Sequence, residues 1–302
     1  MRKSRLGIVL VLSIARVDPT SAQATAIPGR DLLGFPVGLI AEPAALPGLM
    51  GVGLFNPAAA LLPAGAKWRI AAGAMSTPAD VGASAQAFGA STAWRGATVT
   101  TSVVRAGVGG LVRTDSDPLT VQNDVVYSTL VASLGVAMRP REHVTVGFAL
   151  RARSGQMDFD SRSGVALDAG VVAEHLTSLD ARIGASSYLL NPWAGPDDAA
   201  TWILGADARV AGTDSTRTLR AGVSANSTHR RPSEQFAFAS VRYGAWEIRG
   251  GPVRTVAYGA TNIRSRLAVA VRYAGYMVGV SREESPSGLT PSYQVALSSV
   301  VP

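Results

Sequence analysis

The stretch RLAVAVRYAGYMVGVSR, residues 266–282, decides the fold. Leu267, Val269, Val271 and Tyr273 fall on one side of a two-residue alternation, and Arg266, Ala268, Ala270 and Arg272 fall on the other. After Ala274-Gly275, Tyr276, Val278 and Val280 continue the apolar side, opposed by Gly279 and Ser281. Period two with a two-residue Gly-containing connection is a β-hairpin. Two tyrosines flank the turn, as Tyr243 and Trp246 flank Gly244-Ala245, and Trp94 stands beside Arg95-Gly96. Aromatic residues at one end of successive hairpins suit the girdle of a membrane barrel.

The alternation recurs from Lys67 onward. Leu130, Leu134 and Met138 oppose Ser133, Gly135 and Arg139, while Phe148 and Leu150 oppose Gly147, Arg151 and Arg153. Val165 and Leu167 oppose Asp168, and Trp202 and Leu204 oppose Asp207 and Arg209. One face collects valine, leucine and alanine; the other collects arginine, aspartate, glycine and serine. Apolar side chains facing lipid and charged ones facing a lumen fit this division. The alternative is an inverted, lipocalin-like soluble barrel, which at about eight strands would not use the whole chain.

Fourteen strands are expected, near residues 67–75, 84–94, 97–106, 124–138, 143–154, 163–174, 179–190, 200–210, 215–227, 235–243, 246–258, 264–273, 276–282 and 291–301, with twelve or sixteen as alternatives. Tight connections at 95–96, 140–142, 176–178, 211–214, 244–245 and 274–275 alternate with longer ones at 76–83, 107–123, 155–162, 191–199, 228–234, 259–263 and 283–290. Short turns on one side and loops on the other predict an all-β, antiparallel up-and-down transmembrane barrel, porin-like in plan, in the outer membrane of a Gram-negative-type bacterium.

The bulk numbers agree. The chain has 302 residues, 32 glycines, 47% hydrophobic residues and no cysteine. Without thiols there is neither a disulfide framework nor a thiolate metal site. Residues 1–22 read as a signal peptide, with Arg2, Lys3 and Arg5 before an apolar run at 6–15 and small residues before Gln23. An apolar run of that length is too short to span a bilayer as a helix, which needs about 20 residues. Removing the leader takes the formal charge from +7 to +4, with Lys67 as the one remaining lysine. The arginines sit singly within strands, so no basic stripe for nucleic acid is expected.

Residues 23–66 do not alternate. They are apolar and rich in proline and glycine, and a lipid-exposed coil would leave its backbone groups without partners. They are expected as an N-terminal plug, or hatch, inside a barrel formed by residues 67–302. Just before the first strand, the run Gly51-Val52-Gly53-Leu54-Phe55-Asn56-Pro57-Ala58-Ala59-Ala60-Leu61 resembles the "NPA" hatch motif of the FadL-like outer-membrane transport proteins, and also the related PorV/PorQ-type proteins. Asn56, Pro57 and Ala58 match the motif's core. The resemblance implies fourteen strands, a plug, and diffusion of small hydrophobic or amphipathic molecules through an opening in the wall. Gly107, Gly109 and Gly110 after the third strand, and Gly250, Gly251 and Pro252 in the eleventh, are the candidate wall kinks; simple barrel curvature is the other reading of both.

Chemistry-bearing residues are few. His143, His175 and His229 fall at different connections, so no catalytic residue, metal or cofactor is expected, and the chain is read as a non-enzyme. Arg105, Arg151, Arg153, Arg182, Arg209, Arg220, Arg242, Arg266 and Arg272 are the lumen-facing candidates. They could draw an anion inward collectively, but pairing with Asp168, Asp180, Asp207 and Glu247 is the favoured reading. The expected partners are outer-membrane lipid and a small hydrophobic or amphipathic ligand. A PorV-like barrel that docks secreted proteins, or a purely structural barrel, is the alternative. Transport predicts an apolar pocket beside the plug and a wall gap at residues 107–110; docking predicts a sealed wall and an exposed apolar patch at one rim.

Overall fold

The computed structural model describes residues 26–34, 43–48, 50–78, 81–112, 125–191, 198–212, 216–229, 231–257, 260–284 and 291–302. The leader expected at residues 1–22 lies outside them. Fourteen strands follow in order: β1 (Trp68–Ser76), β2 (Ala83–Trp94), β3 (Ala97–Val108), β4 (Tyr127–Arg141), β5 (Val144–Met157), β6 (Asp160–Ala173), β7 (Arg182–Leu190), β8 (Thr201–Ala211), β9 (Arg217–Thr228), β10 (Ser233–Tyr243), β11 (Trp246–Ala257), β12 (Ala260–Tyr273), β13 (Tyr276–Glu283) and β14 (Ser292–Val301). Each pairs antiparallel with the next. β1 pairs with β14 from Trp68↔Val301 to Ser76↔Tyr293, which closes the barrel and leaves no sheet edge.

The greasy rows face out. Leu134, Phe148, Leu150, Leu204 and Leu267 are each more than half exposed, while Arg151, Arg153, Asp168, Asp207 and Arg266 on the opposite parity are buried. A soluble barrel would reverse this arrangement, because apolar area is removed from water only when it faces the interior. At the end where β1 begins and β14 finishes, here the terminal end, Trp68, Trp94, Tyr243, Trp246, Tyr273 and Tyr276 all project outward. At the distal end Phe159, Trp202 and Tyr293 do the same. The two aromatic tiers mark the edges of an apolar band.

The sorting of connections is looser than the alternation predicts. The loop expected at 155–162 is a two-residue turn at Asp158-Phe159, because β5 and β6 pair out to Met157↔Asp160. Residues 260–263 of the loop expected at 259–263 belong to β12, since Ala257 pairs with Ala260. Beyond the apolar band both faces of a strand are polar, so the alternation disappears although the hydrogen-bond ladder continues. On the terminal side, the turn expected at 176–178 is a longer connection, residues 174–181, with His175 and Asp180 at positive φ.

Arg105 differs from its expected orientation. In β3 the buried parity belongs to Thr98, Thr100, Ser102, Val104 and Ala106, so Arg105 shares the outward face with Thr101 and Val103. Valine stands on both faces here, at Val103 and Val104, and hydropathy alone therefore misplaces the arginine.

Candidate functional site

The residues before β1 pack against the inward face of the barrel. Their anchor is Asn56, 1% exposed, at the N-cap of a 3₁₀ turn, Pro57–Ala60. Its side-chain oxygen accepts from the Ala58 N–H (3.0 Å), and its amide donates to the carbonyls of Ala45 (2.6 Å) and Val171 in β6 (3.4 Å). Pro57 suits the first helical position because its φ is preset and that N–H has no intrahelical role. The matched tripeptide is thus an asparagine cap tied to the wall.

Glycines make room for it. Gly147 in β5 and Gly170 in β6 are register partners. A Cβ on Gly147 would lie 2.3 Å from the Ala58 nitrogen, and one on Gly170 would lie 1.9 Å from Asn56 Oδ1. A second pair, Gly184 in β7 and Gly205 in β8, seats the Ala45-Leu46 turn, with Ala45 O 2.2 Å from a Gly184 Cβ. A Cβ on Gly155 would lie 2.0 Å from Pro28 O, and one on Gly89 in β2 would run into Val52. All six glycines stand at inward positions, where the approaching backbone would otherwise meet a side chain.

Ion pairs complete the seat. Arg151 and Asp168 form a salt bridge with side chains 1% and 0% exposed. Arg151 also donates to the Leu54 carbonyl (2.6 Å) and lies over the Tyr188 ring, 4.7 Å from its centroid. Arg153 binds Asp198 (2.7 Å) and the carbonyls of Ile27 and Pro28. Arg30 donates to Ala199 O and Thr201 Oγ1, and burial, with Arg153 and Arg231 adding to it, holds its guanidinium down at about 10 despite Asp198. Each of these arginines uses its fork on several acceptors at once.

The remaining arginine candidates do not form one ring. Near the terminal end Arg182 and Arg220 share Asp207, and Arg220 also binds Asp180 at 2.7 Å. Burial raises the Asp180 carboxyl, but Arg220 and His175 outweigh it and hold the group below the ordinary range. Arg272 and Arg249 share Glu247, whose register partner is Arg242. Arg266 and Arg264 share Glu234 and Glu283. Arg209 points inward, and its backbone N–H donates to Leu179 O. The carboxylates Asp198, Glu234 and Glu283 were not anticipated as partners; their place just beside a predicted strand was the available signal.

Among these polar clusters lies an apolar belt, with the Arg266 and Arg249 guanidiniums over the Phe236 and Phe238 rings, 5.0 and 5.8 Å from their centroids. Phe236 and Phe238 of β10 stack with centroids 5.4 Å apart, buried together with Val104, Val131, Ile203 and Val253 from the wall. Leu32, Met50, Val52 and Leu54 of the N-terminal segment belong to the same buried cluster. This belt lies in the distal half of the barrel.

The two glycine-rich wall candidates behave differently. Gly107 pairs with Ser84 on one side and Ser128 on the other, and both ladders run unbroken to Val108. The expected kink is absent there, because a glycine flanked by paired neighbours keeps its hydrogen bonds. Beside it lies a cavity of about 420 Å³ bordered by residues 84–86, 105–110 and 125–128. The β10–β11 ladder, by contrast, loses the two pairs between Phe236↔Val253 and Ala239↔Gly250 without a change of register. Pro252 has no N–H to give, and a Cβ on Gly251 would lie 2.0 Å from Ala237 O.

No protein-family model matches the chain, and no curated protein sequence matches it. Among solved structures, the fold is similar to "CymD monoaromatic hydrocarbon channel", with a TM-score of 0.58 and 12% identity over 87% of this chain and 96% of that one. It is also similar to "TodX deltaS2S3 mutant monoaromatic hydrocarbon channel", with a TM-score of 0.57 and 10% identity over 87% and 98%. At these identities the likeness is one of fold.

Proposed function

We propose that the protein is an outer-membrane channel through which small hydrophobic or amphipathic molecules diffuse, with the N-terminal segment as its plug. The observation that carries this reading is the apolar belt. A water-filled porin keeps its interior polar, whereas Phe236, Phe238, Val253 and Val131 here form a buried aromatic and aliphatic surface against an apolar segment, which a cargo would displace. An apolar molecule gains from such a surface and a hydrated ion does not. The paired charges on either side fix the plug rather than catalyse. Where the wall has to part sideways, the β10–β11 seam beside Phe238 already lacks two of its pairs.

Uptake of a labelled aromatic hydrocarbon and a labelled fatty acid, by cells with and without the protein, tests this reading. A form lacking residues 26–66 is the control for the plug. Uptake that depends on the protein and falls with Phe236→Asp or Phe238→Asp is expected. Uptake indifferent to the protein for both probes would remove the transport reading.

A second reading has its own observation. The wall is closed, and Leu111, Val112, Val126 and Phe159 are exposed together at the distal rim, where Val125 N–H bonds Leu111 O and Asp158 N–H bonds Val126 O. Exposed apolar area of this kind suits a protein-docking rim. Cross-linking of exported proteins that is lost with Leu111→Asp and Phe159→Ser, while uptake is unchanged, would favour it.

A further inference from the structure

The cavity at Gly107 borders the outward face of the wall, with Ala85, Ala106 and Tyr127 of the inward parity also in its lining. Four side chains of outward parity surround the glycine: Ser84 and Gln86 from β2, Arg105 from β3 and Ser128 from β4. Arg105 stands between Gln86 and Leu130 in the ladders and forms no ion pair among the described residues. Around the barrel the outward parity of the described strand residues carries no carboxylate, since Asp168, Asp207, Glu234, Glu247 and Glu283 all point in. Among the described strand residues, none of outward parity can therefore neutralise this guanidinium.

Its height identifies what can. Along β2 the outward residues run from Trp94 in the terminal girdle through Phe88 to Gln86 and Ser84. Eight residues separate Trp94 from Gln86, roughly 27 Å of strand and ~20 Å along the bilayer normal at the usual tilt. On β4 the outward row likewise changes from Leu134 and Leu130 to Ser128. Gln86, Arg105 and Ser128 thus sit where the apolar band gives way to headgroups. Arg105 can reach an anion there without being dragged into hydrocarbon.

We propose that this cavity binds a phosphate group of an outer-leaflet lipid, with Arg105 as its counter-charge and Gln86, Ser84 and Ser128 as hydrogen-bond partners. Gly107 borders the space, and the paired backbone beneath supplies a rigid floor. The cavity is within the range of small-ligand sites, about 300–1,000 Å³, and a guanidinium is the side chain best matched to a phosphate. The proposal rests on the outer-membrane placement and is independent of the cargo.

The test uses the full chain in phosphatidylcholine nanodiscs containing a small fraction of lipid A, either phosphorylated or enzymatically dephosphorylated. Native mass spectrometry reads the lipid retained. Wild type is expected to retain phosphorylated lipid A about tenfold better than Arg105→Gln, the worth of one charge-assisted contact, with no enrichment of the dephosphorylated form. Gly107→Val, which fills the cavity but keeps the charge, is expected to lose retention too. Arg254→Gln, another outward arginine bonded to Gln235, should leave it intact. A heat-modifiable gel shift selects folded variants, and Arg105→Gln decides alone if Gly107→Val does not fold. Equal retention by wild type and Arg105→Gln overturns the proposal, as does equal enrichment of the dephosphorylated lipid. In a second arm, inorganic phosphate is added to the protein in detergent. Stabilisation by phosphate without lipid A retention in nanodiscs would make the source a soluble anion and overturn the lipid assignment.

Discussion

Gly147 and Gly170 face each other across the β5–β6 ladder, and the Asn56-Pro57 turn fills the space that their absent side chains leave. Neither position accepts a Cβ without displacing this turn. Gly170→Ala and Gly147→Val are therefore expected to unseat the N-terminal segment while the barrel still closes. Limited proteolysis should cut near residues 50–60 in these variants and spare the wild type. Asn56→Ala should act in the same direction more mildly, losing a cap worth about 1 kcal/mol.

Arg151 and Asp168 are buried as a pair, so single changes should cost far more than a double one. Arg151→Met or Asp168→Asn leaves one partner uncompensated, at a cost of about 3–5 kcal/mol, whereas replacing both with apolar residues of matching volume should recover most of it. Denaturant titration of the protein refolded in detergent measures the difference.

Asp180 gives the connection at residues 174–181 a pH response. Its carboxyl is held low in the folded protein by Arg220 and His175 against the opposing effect of burial. A depressed folded value contributes stability above the unfolded value of ~4, and that contribution is lost as pH falls through the folded value. Protection of residues 174–181, taken relative to the intrinsic exchange rate at each pH, should fall as pH drops below about 4. The fall should flatten in Asp180→Asn. Equal pH response in the variant would assign the effect elsewhere.

The seam between β10 and β11 can be locked. Ala239 and Gly250 are register partners next to the two missing pairs. Cysteines at both positions, in a chain otherwise free of thiols, should bridge under oxidation. If cargo leaves sideways here, oxidation lowers hydrocarbon uptake and reductant restores it; uptake unmoved by oxidation rules this exit out.

Leu134 tests the orientation of the whole barrel. It lies on the outward face midway along β4 and is 59% exposed. Leu134→Arg should destabilise the protein in a bilayer by about 2–4 kcal/mol. The same change in a water-facing position would cost little, and membrane refolding equilibria separate the two.

The strands were legible because one face meets lipid and the other does not. That contrast holds over the apolar band, so all fourteen were found within a few residues, while the extensions of β5, β6 and β12 beyond the band were not. The pairing of Arg151, Arg182, Arg220 and Arg272 with carboxylates was legible from shared parity. Arg105 was not, because assigning it by charge ignored its parity with Val103. Gly147 was visible as an inward position, but its meaning, like that of Gly170, Gly184 and Gly205, depends on what approaches it. That approach comes from a segment lacking any periodicity of its own.

The closing contact, β1 on β14, joins residues from opposite ends of the barrel sequence, and the N-terminal segment enters the interior immediately before β1. Its landing sites on β5, β6, β7 and β8 are synthesised after it. The order of closure therefore decides the route: a segment drawn within the curling sheet is enclosed when the final seam zips, and one left outside has to thread a mouth.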